Sequence, residues 1–159
     1  MLGDWPRRIE TMGIARSSES EANMTQTPAQ PSTVADVMHP AVTTVEQTAH
    51  LAAAAYLMKK EGATAIVVID DPRSRHPIGI ITEADVVRAV ADGQDVNDVR
   101  IRDLMTASPI VCQEDTTLRD AAKSMVNGGF RHLPVVEQDS VVGIVEIGDV
   151  SRALLGPSA

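Results

Sequence analysis

The sequence predicts an α/β (α+β) fold in which two β-α-β-β-α repeats pack through their sheets as a pseudo-two-fold pair. Three observations predict it. VADVM (34–38) matches IRDLM (101–105), and the separation of 67 residues that aligns Met38 with Met105 also aligns Leu51 with Leu118, Met58 with Met125 and Gly62 with Gly129. GIITEADVVRAV (79–90) returns as GIVEIGDVSRAL (143–154), with six of the twelve positions identical. The apolar content of 43 % is almost wholly aliphatic, because Trp5, Tyr56 and Phe130 are the only aromatic residues, and branched aliphatics suit strands covered by helices.

Each element follows in order. Residues 1–32, with SSESEANMTQTPAQPS as their extreme, lack helical or strand periodicity and read as a disordered tail, within which Met24 is a second candidate start. The first repeat is placed at 33–92, a linker at 93–100, the second repeat at 101–155 and a C-terminal tail at 156–159. In each repeat a short extended piece (VTTV; PIVC) leads into a helix, HLAAAAYLMKKEG or LRDAAKSMVNGG, which ends at a glycine suited to a left-handed C-cap. Two β-branched strands follow, AIVVID with IGII and HLPVV with VVGIV. A second helix closes the unit, with Gly93 and Gly156 just past the two ends. The loop DDPRSRHPIG is three residues longer than EQDSVVG, a difference expected in a surface turn, with His76 solvated. A unit of this size buries too little of its surface to stand alone, and pairing two of them cures this and leaves a cleft between them.

Composition narrows the function. A net charge of -8 argues against nucleic acid, whose phosphates demand clustered Lys and Arg. Salt screens charges beyond about 8 Å, so a few local basic residues can still hold a phosphate. No segment approaches the roughly 20 apolar residues of a membrane helix and no secretory leader is visible, so a cytoplasmic protein without a membrane partner is expected. Cys112 is a single cysteine in an apolar run and is expected to be buried and inert. His39, His50, His76 and His132 show no metal-ligand spacing, and no nucleophile with a base and an orienting group appears, so neither a metal nor an enzyme is expected.

The junction TEAD supports two readings. Thr82, where strand becomes helix, and Asp85, three residues on, form a capping box that needs no ligand and contributes about 1 kcal/mol. The same geometry suits a nucleotide: a helix N-terminus attracts phosphate, a hydroxyl adds a donor, and a carboxylate grips vicinal ribose hydroxyls. Adjacent Gly79 admits close approach of another backbone.

Two strand-helix-strand-strand-helix units, each opening on D-h-M (Asp36, Met38; Asp103, Met105) and ending in G-h-h-T-x-x-D-h, resemble a tandem of cystathionine-β-synthase (CBS) domains. Such a tandem is called a Bateman module, and the likeness here is to the stand-alone bacterial type, over about residues 33–155. The resemblance implies regulatory sensing of an adenosine-containing ligand (AMP, ADP, ATP or S-adenosylmethionine) in the cleft, with no obligatory cofactor, a homodimer, and a protein partner that the sequence does not identify. It implies that Asp85 and Asp149 hold ribose, that the Thr82 hydroxyl faces a phosphate, that Arg131 and His132 approach phosphates, and that adenine is contacted near Val42 and Ile110. The copies depart from each other: Glu146 replaces the hydroxyl residue in the second, and Thr64 and Ala65 replace the basic pair in the first. One asymmetric phosphate-bearing site, drawing on Thr82 and Asp85 from one side and Arg131 and His132 from the other, is therefore expected. Glu146 has three readings: it abolishes phosphate binding in its half, it adapts that half to a cation such as a sulfonium, or it favours the helix dipole. The alternative function is a ligand-free interaction or dimerisation module that keeps the motif as a cap.

Overall fold

The computed structural model describes residues 30–40 and 43–156. Most of the expected tail, the expected adenine-contacting Val42 and the last three residues lie outside the described residues.

Each repeat begins with an arm that packs on the other repeat. Val34–Asp36 forms a 3-10 turn whose Asp36 carboxylate accepts the N–H groups of Ser32 (2.8 Å) and Thr33 (2.9 Å), and those bonds hold it below the usual carboxylate range. Strand β1 (His39–Pro40) then runs antiparallel to β7 (Ser140–Glu146), which pairs with β6 (His132–Glu137). In the other sheet β2 (Thr44–Glu46) is parallel to β3 (Ala65–Ile69). β3 is antiparallel to β4 (Pro77–Thr82), and β4 to β5 (Thr106–Ala107), the arm of the second repeat. Cys112 bridges Val135 in parallel, the counterpart of β2. The two sheets are therefore each closed by the arm of the opposite repeat.

Two glycines make the exchange sterically specific. A Cβ on Gly143 would sit 2.7 Å from Met38 Sδ and 3.0 Å from the His39 carbonyl oxygen, and one on Gly79 would sit 2.5 Å from Met105 Sδ and 3.2 Å from the Thr106 carbonyl oxygen. The methionine of each D-h-M signature thus lies on the bare backbone of the other repeat's glycine, which accounts for two features that the repeats share, the methionine and the glycine.

The arms also complete the helices. In α1 (Leu51–Glu61) the buried face is Leu51, Ala54 and Met58, and in α3 (Leu118–Gly128) it is Leu118, Ala121 and Met125, one apolar stripe at helical spacing. His50 gives α1 no side-chain cap; instead the Leu51 and Ala52 N–H groups donate to the Val99 and Val96 carbonyls, both at 2.9 Å. The segment expected as a linker is thus a helix cap, with Val96 and Val99 packed on the first core. Likewise the Leu118 N–H donates to the Ser32 carbonyl at 3.0 Å, so Ser32, assigned to the tail from sequence, is bonded to the fold. Gly62 (φ 66°) and Gly129 (φ 68°) take the left-handed C-caps expected of them.

Helices α2 (Glu83–Ala91) and α4 (Ile147–Leu155) cover the outer faces. The cores are aliphatic: Leu51, Ile66, Val68 and Ile81 anchor the first with Ile101 from the opposite arm, and Leu133, Val135, Val145 and Val150 the second with Val34. Between them Val67 and Ile69 meet Val136 and Val141, the sheet-on-sheet contact. All five residues of β3 are buried, since one face meets α1's core and the other meets the second sheet. The longer loop of the first repeat has a use the sequence hides. It clasps the β6–β7 hairpin: the Ser140 hydroxyl donates to the Ser74 carbonyl (3.0 Å), the Val141 N–H to the Arg75 carbonyl (3.0 Å) and His76 Nδ1–H to the Asp139 carbonyl (3.2 Å). Cys112, expected to be buried, is half-buried, and burial pushes its thiol up to about 11, away from the thiolate that reactivity needs.

Candidate functional site

The two helix-opening junctions face each other across the pseudo-two-fold axis and differ as their sequences differ. Thr82 is the N-cap of α2; its N–H and its hydroxyl donate to Asp85 Oδ2 at 2.9 and 2.8 Å, and the Asp85 N–H reaches back to the Thr82 hydroxyl at 3.4 Å. This is a complete capping box. Asp85 is 8 % exposed, and its other oxygen accepts Arg88 Nη1–H at 3.2 Å.

Glu146 holds the corresponding N-cap position of α4 without a side-chain cap. Its Oε1 instead accepts the hydroxyl proton of Thr64, from the opposite repeat, at 2.9 Å, and lies 3.6 Å from His132 Nε2. Thr64 Oγ1 is also 2.7 Å from His132 Nε2. A hydroxyl has one proton, so with Glu146 as its acceptor Thr64 receives the Nε2–H of His132, which fixes the imidazole tautomer. Burial drives the His132 imidazole below its ordinary pKa, Arg131 adds to this, and Glu146 and Glu83 offset only part.

Four expected site residues converge on one cleft of about 830 Å³: Thr82 from the first repeat, Arg131 and His132 from the second, and Ile110. Its walls also include Thr64, Glu83, Thr106, Ser108, Phe130 and Glu146, of which Thr106, Ser108, Phe130 and Glu83 were not singled out by sequence. The Phe130 ring lies so close over Gly128 that it leaves no room for a Cβ there, so this glycine sets where the Phe130 wall stands. Asp85 lies behind Thr82 and outside this lining.

The pseudo-symmetric counterpart is a smaller cleft of about 480 Å³, walled by His39, Thr43, Glu61, Glu146 and Asp149 among others. There Asp149 is already engaged, by His39 Nε2 at 2.8 Å and Arg152 Nη1 at 2.7 Å. Burial pushes the Asp149 carboxyl up, but these two partners outweigh it and hold it below the usual range. The basic pair and the hydroxyl thus share one cleft, and the other is acidic. Among the described residues no group of three or more His, Cys, Asp or Glu side chains is placed to hold a metal ion, and no helix is long and apolar enough to cross a membrane.

A family model of the CBS domain matches residues 34–92 and again 101–156. The chain belongs to the CBS domain family. It is a tandem CBS pair, and a 17.7 kDa protein of Acidianus ambivalens is 42 % identical to it over 106 residues, 66 % of this chain and 62 % of that protein. The chain spans about half the length of the curated relatives it matches. Among solved CBS structures, CBSX2 in complex with AMP superposes with a TM-score of 0.65 at 30 % identity, covering 77 % of this chain and 96 % of that one. A CBS domain pair in complex with 5′-methylthioadenosine and S-adenosyl-L-methionine gives a TM-score of 0.69 at 28 % identity, covering 78 % and 99 %.

Proposed function

We propose that this CBS pair is a regulatory sensor, not an enzyme, that takes one adenosine-containing ligand (AMP, ADP, ATP or S-adenosylmethionine) in the larger cleft and alters its own dimer or a partner in response. The observation that carries the reading is the convergence of Thr82 with Arg131, His132 and Ile110, from both repeats, on a single cleft of about 830 Å³, within the size range of ligand pockets. Solved relatives complexed with AMP and with S-adenosyl-L-methionine support the ligand class. Ile110, 56 % exposed, and Phe130 offer apolar contact to a base. Asp85 lies just behind Thr82, and a ribose hydroxyl at its Oδ1 would replace only Arg88, whose side chain is 65 % exposed. A ribose at Asp149 would first have to displace His39. A ligand bridging the repeats stabilises one relative orientation, and it shifts that equilibrium only by its difference in affinity between the states.

Isothermal calorimetry of the full chain against adenosine, AMP, ATP and S-adenosylmethionine tests this. Saturable heat with at least one, weakened by Asp85→Asn, supports it; no heat with any at millimolar concentration overturns it. One observation favours the alternative, a ligand-free interaction module: the Thr82–Asp85 box is complete with protein partners alone. A melting temperature indifferent to the same compounds, with a stable dimer on sizing, would select that reading.

A further inference from the structure

The larger cleft offers a phosphate little positive charge and few free hydroxyl protons. Phosphate sites draw on unpaired N–H groups at a helix start, on hydroxyl donors and on net positive charge. At α2 the Glu83 N–H donates to the Thr64 carbonyl (3.0 Å) and the Asp85 N–H to the Thr82 hydroxyl; at α4 the Ile147 N–H donates to the Arg131 carbonyl (2.9 Å), but the Glu146 side chain caps none of the N–H groups after it, so charge and hydroxyl protons, not the helix starts, set this cleft against a phosphate. The hydroxyl protons are committed as well: Thr82 gives its proton to Asp85 and Thr64 gives its proton to Glu146. Among the described residues the charged side chains in the walls are Arg131 against Glu83 and Glu146. With His132 held neutral by burial, the lining is net negative. Glu146 is no loose surface acid; a hydroxyl from the opposite repeat fixes its carboxylate in the wall. What the cleft does offer is hydroxyl oxygens and the Thr106 and Ser108 side chains, groups that suit a sugar.

We propose that the preferred occupant of this cleft is a nucleoside whose 5′ substituent is neutral or cationic, a thioether or a sulfonium, and that Glu146 is the residue that discriminates against 5′-phosphates. This rests on reading the cleft as an adenosine site and narrows that reading to one ligand class. A carboxylate within a few ångströms of a phosphate costs binding at every added negative charge, less so in salt. The disadvantage therefore grows from AMP to ATP.

The test is calorimetry of the full chain at fixed ionic strength with 5′-methylthioadenosine, S-adenosylmethionine, AMP and ATP, on the wild type and on Glu146→Gln, which keeps an acceptor for Thr64. Expected are affinities for the thioether and the sulfonium about tenfold or more above AMP, with ATP weaker again. In Glu146→Gln the ratio of AMP to 5′-methylthioadenosine affinity should rise about tenfold, and Glu146→Thr, which restores the first repeat's residue type, should move it the same way. AMP or ATP binding as tightly as the thioether, or a ratio unmoved in both variants, overturns the selectivity while leaving an adenosine site in place. No heat from any of the four removes the adenosine site itself, and the selectivity with it.

Discussion

Gly143→Ala is the sharpest perturbation of the exchanged arms. The new methyl would lie 2.7 Å from Met38 Sδ, which can rotate away, and 3.0 Å from the His39 carbonyl oxygen, which is backbone in β1 and cannot move alone. Overpacking of this kind costs about 1–3 kcal/mol. Gly143 is not among the residues with left-handed backbone, so alanine gains about 0.4–1 kcal/mol through a less free unfolded chain. The net expectation is a loss of roughly 1–2 kcal/mol, about 4–8 °C in melting temperature for a unit of this size. Calorimetric melting and denaturant titration of Gly143→Ala, Met38→Ala and the double variant provide the measurement. Met38→Ala alone opens a hole over the glycine, which the alanine methyl then partly fills, so the double variant should be less destabilised than the sum by about 1 kcal/mol. Strict additivity, or a Gly143→Ala protein as stable as wild type, would refute the account of the arm lying on bare backbone.

Three further outcomes follow from the same geometry. Thr64→Val removes a hydroxyl bonded to both Glu146 and His132, and should cost about 1–2 kcal/mol in denaturant titrations, since two polar groups lose a partner. His132 has its folded pKa below the unfolded value, so the unfolded chain binds more protons below about pH 6.5 and stability falls as pH drops through the folded pKa. Unfolding at pH 7.5, 6.5 and 5.5 should show that decline, and His132→Gln should flatten it. Cys112, with its thiol raised to about 11, should resist thiol reagents at neutral pH and react once the chain is unfolded.

The parts of the fold legible in the sequence are those governed by local rules. Gly62 and Gly129 ended their helices as expected because only a left-handed residue closes that turn, and the β-branched runs at 65–69 and 132–136 became strands. The exchange of arms was not legible: a repeat of 67 residues reads the same whether Met38 lies on its own glycine or on Gly143. The loop at 70–76 looked like slack because its partners, Asp139, Ser140 and Val141, are more than sixty residues away. The complementary asymmetry of Thr82 with Arg131 and His132 was visible once the copies were aligned, and the structure puts them in one cleft. The proton network through Thr64 and the pairing of His39 with Asp149 were invisible, since their members are separated by 68 to 110 residues and no spacing rule links them. Ser108, with φ at 51°, gave no signal either, as a serine in a left-handed turn looks like any other serine in sequence.

The crossed arms also bind the fate of one half to the other. Because β1 edges one sheet and β5 the other, a cut between the repeats would leave each half with an unpaired strand edge and a bare glycine, Gly143 or Gly79, open to solvent.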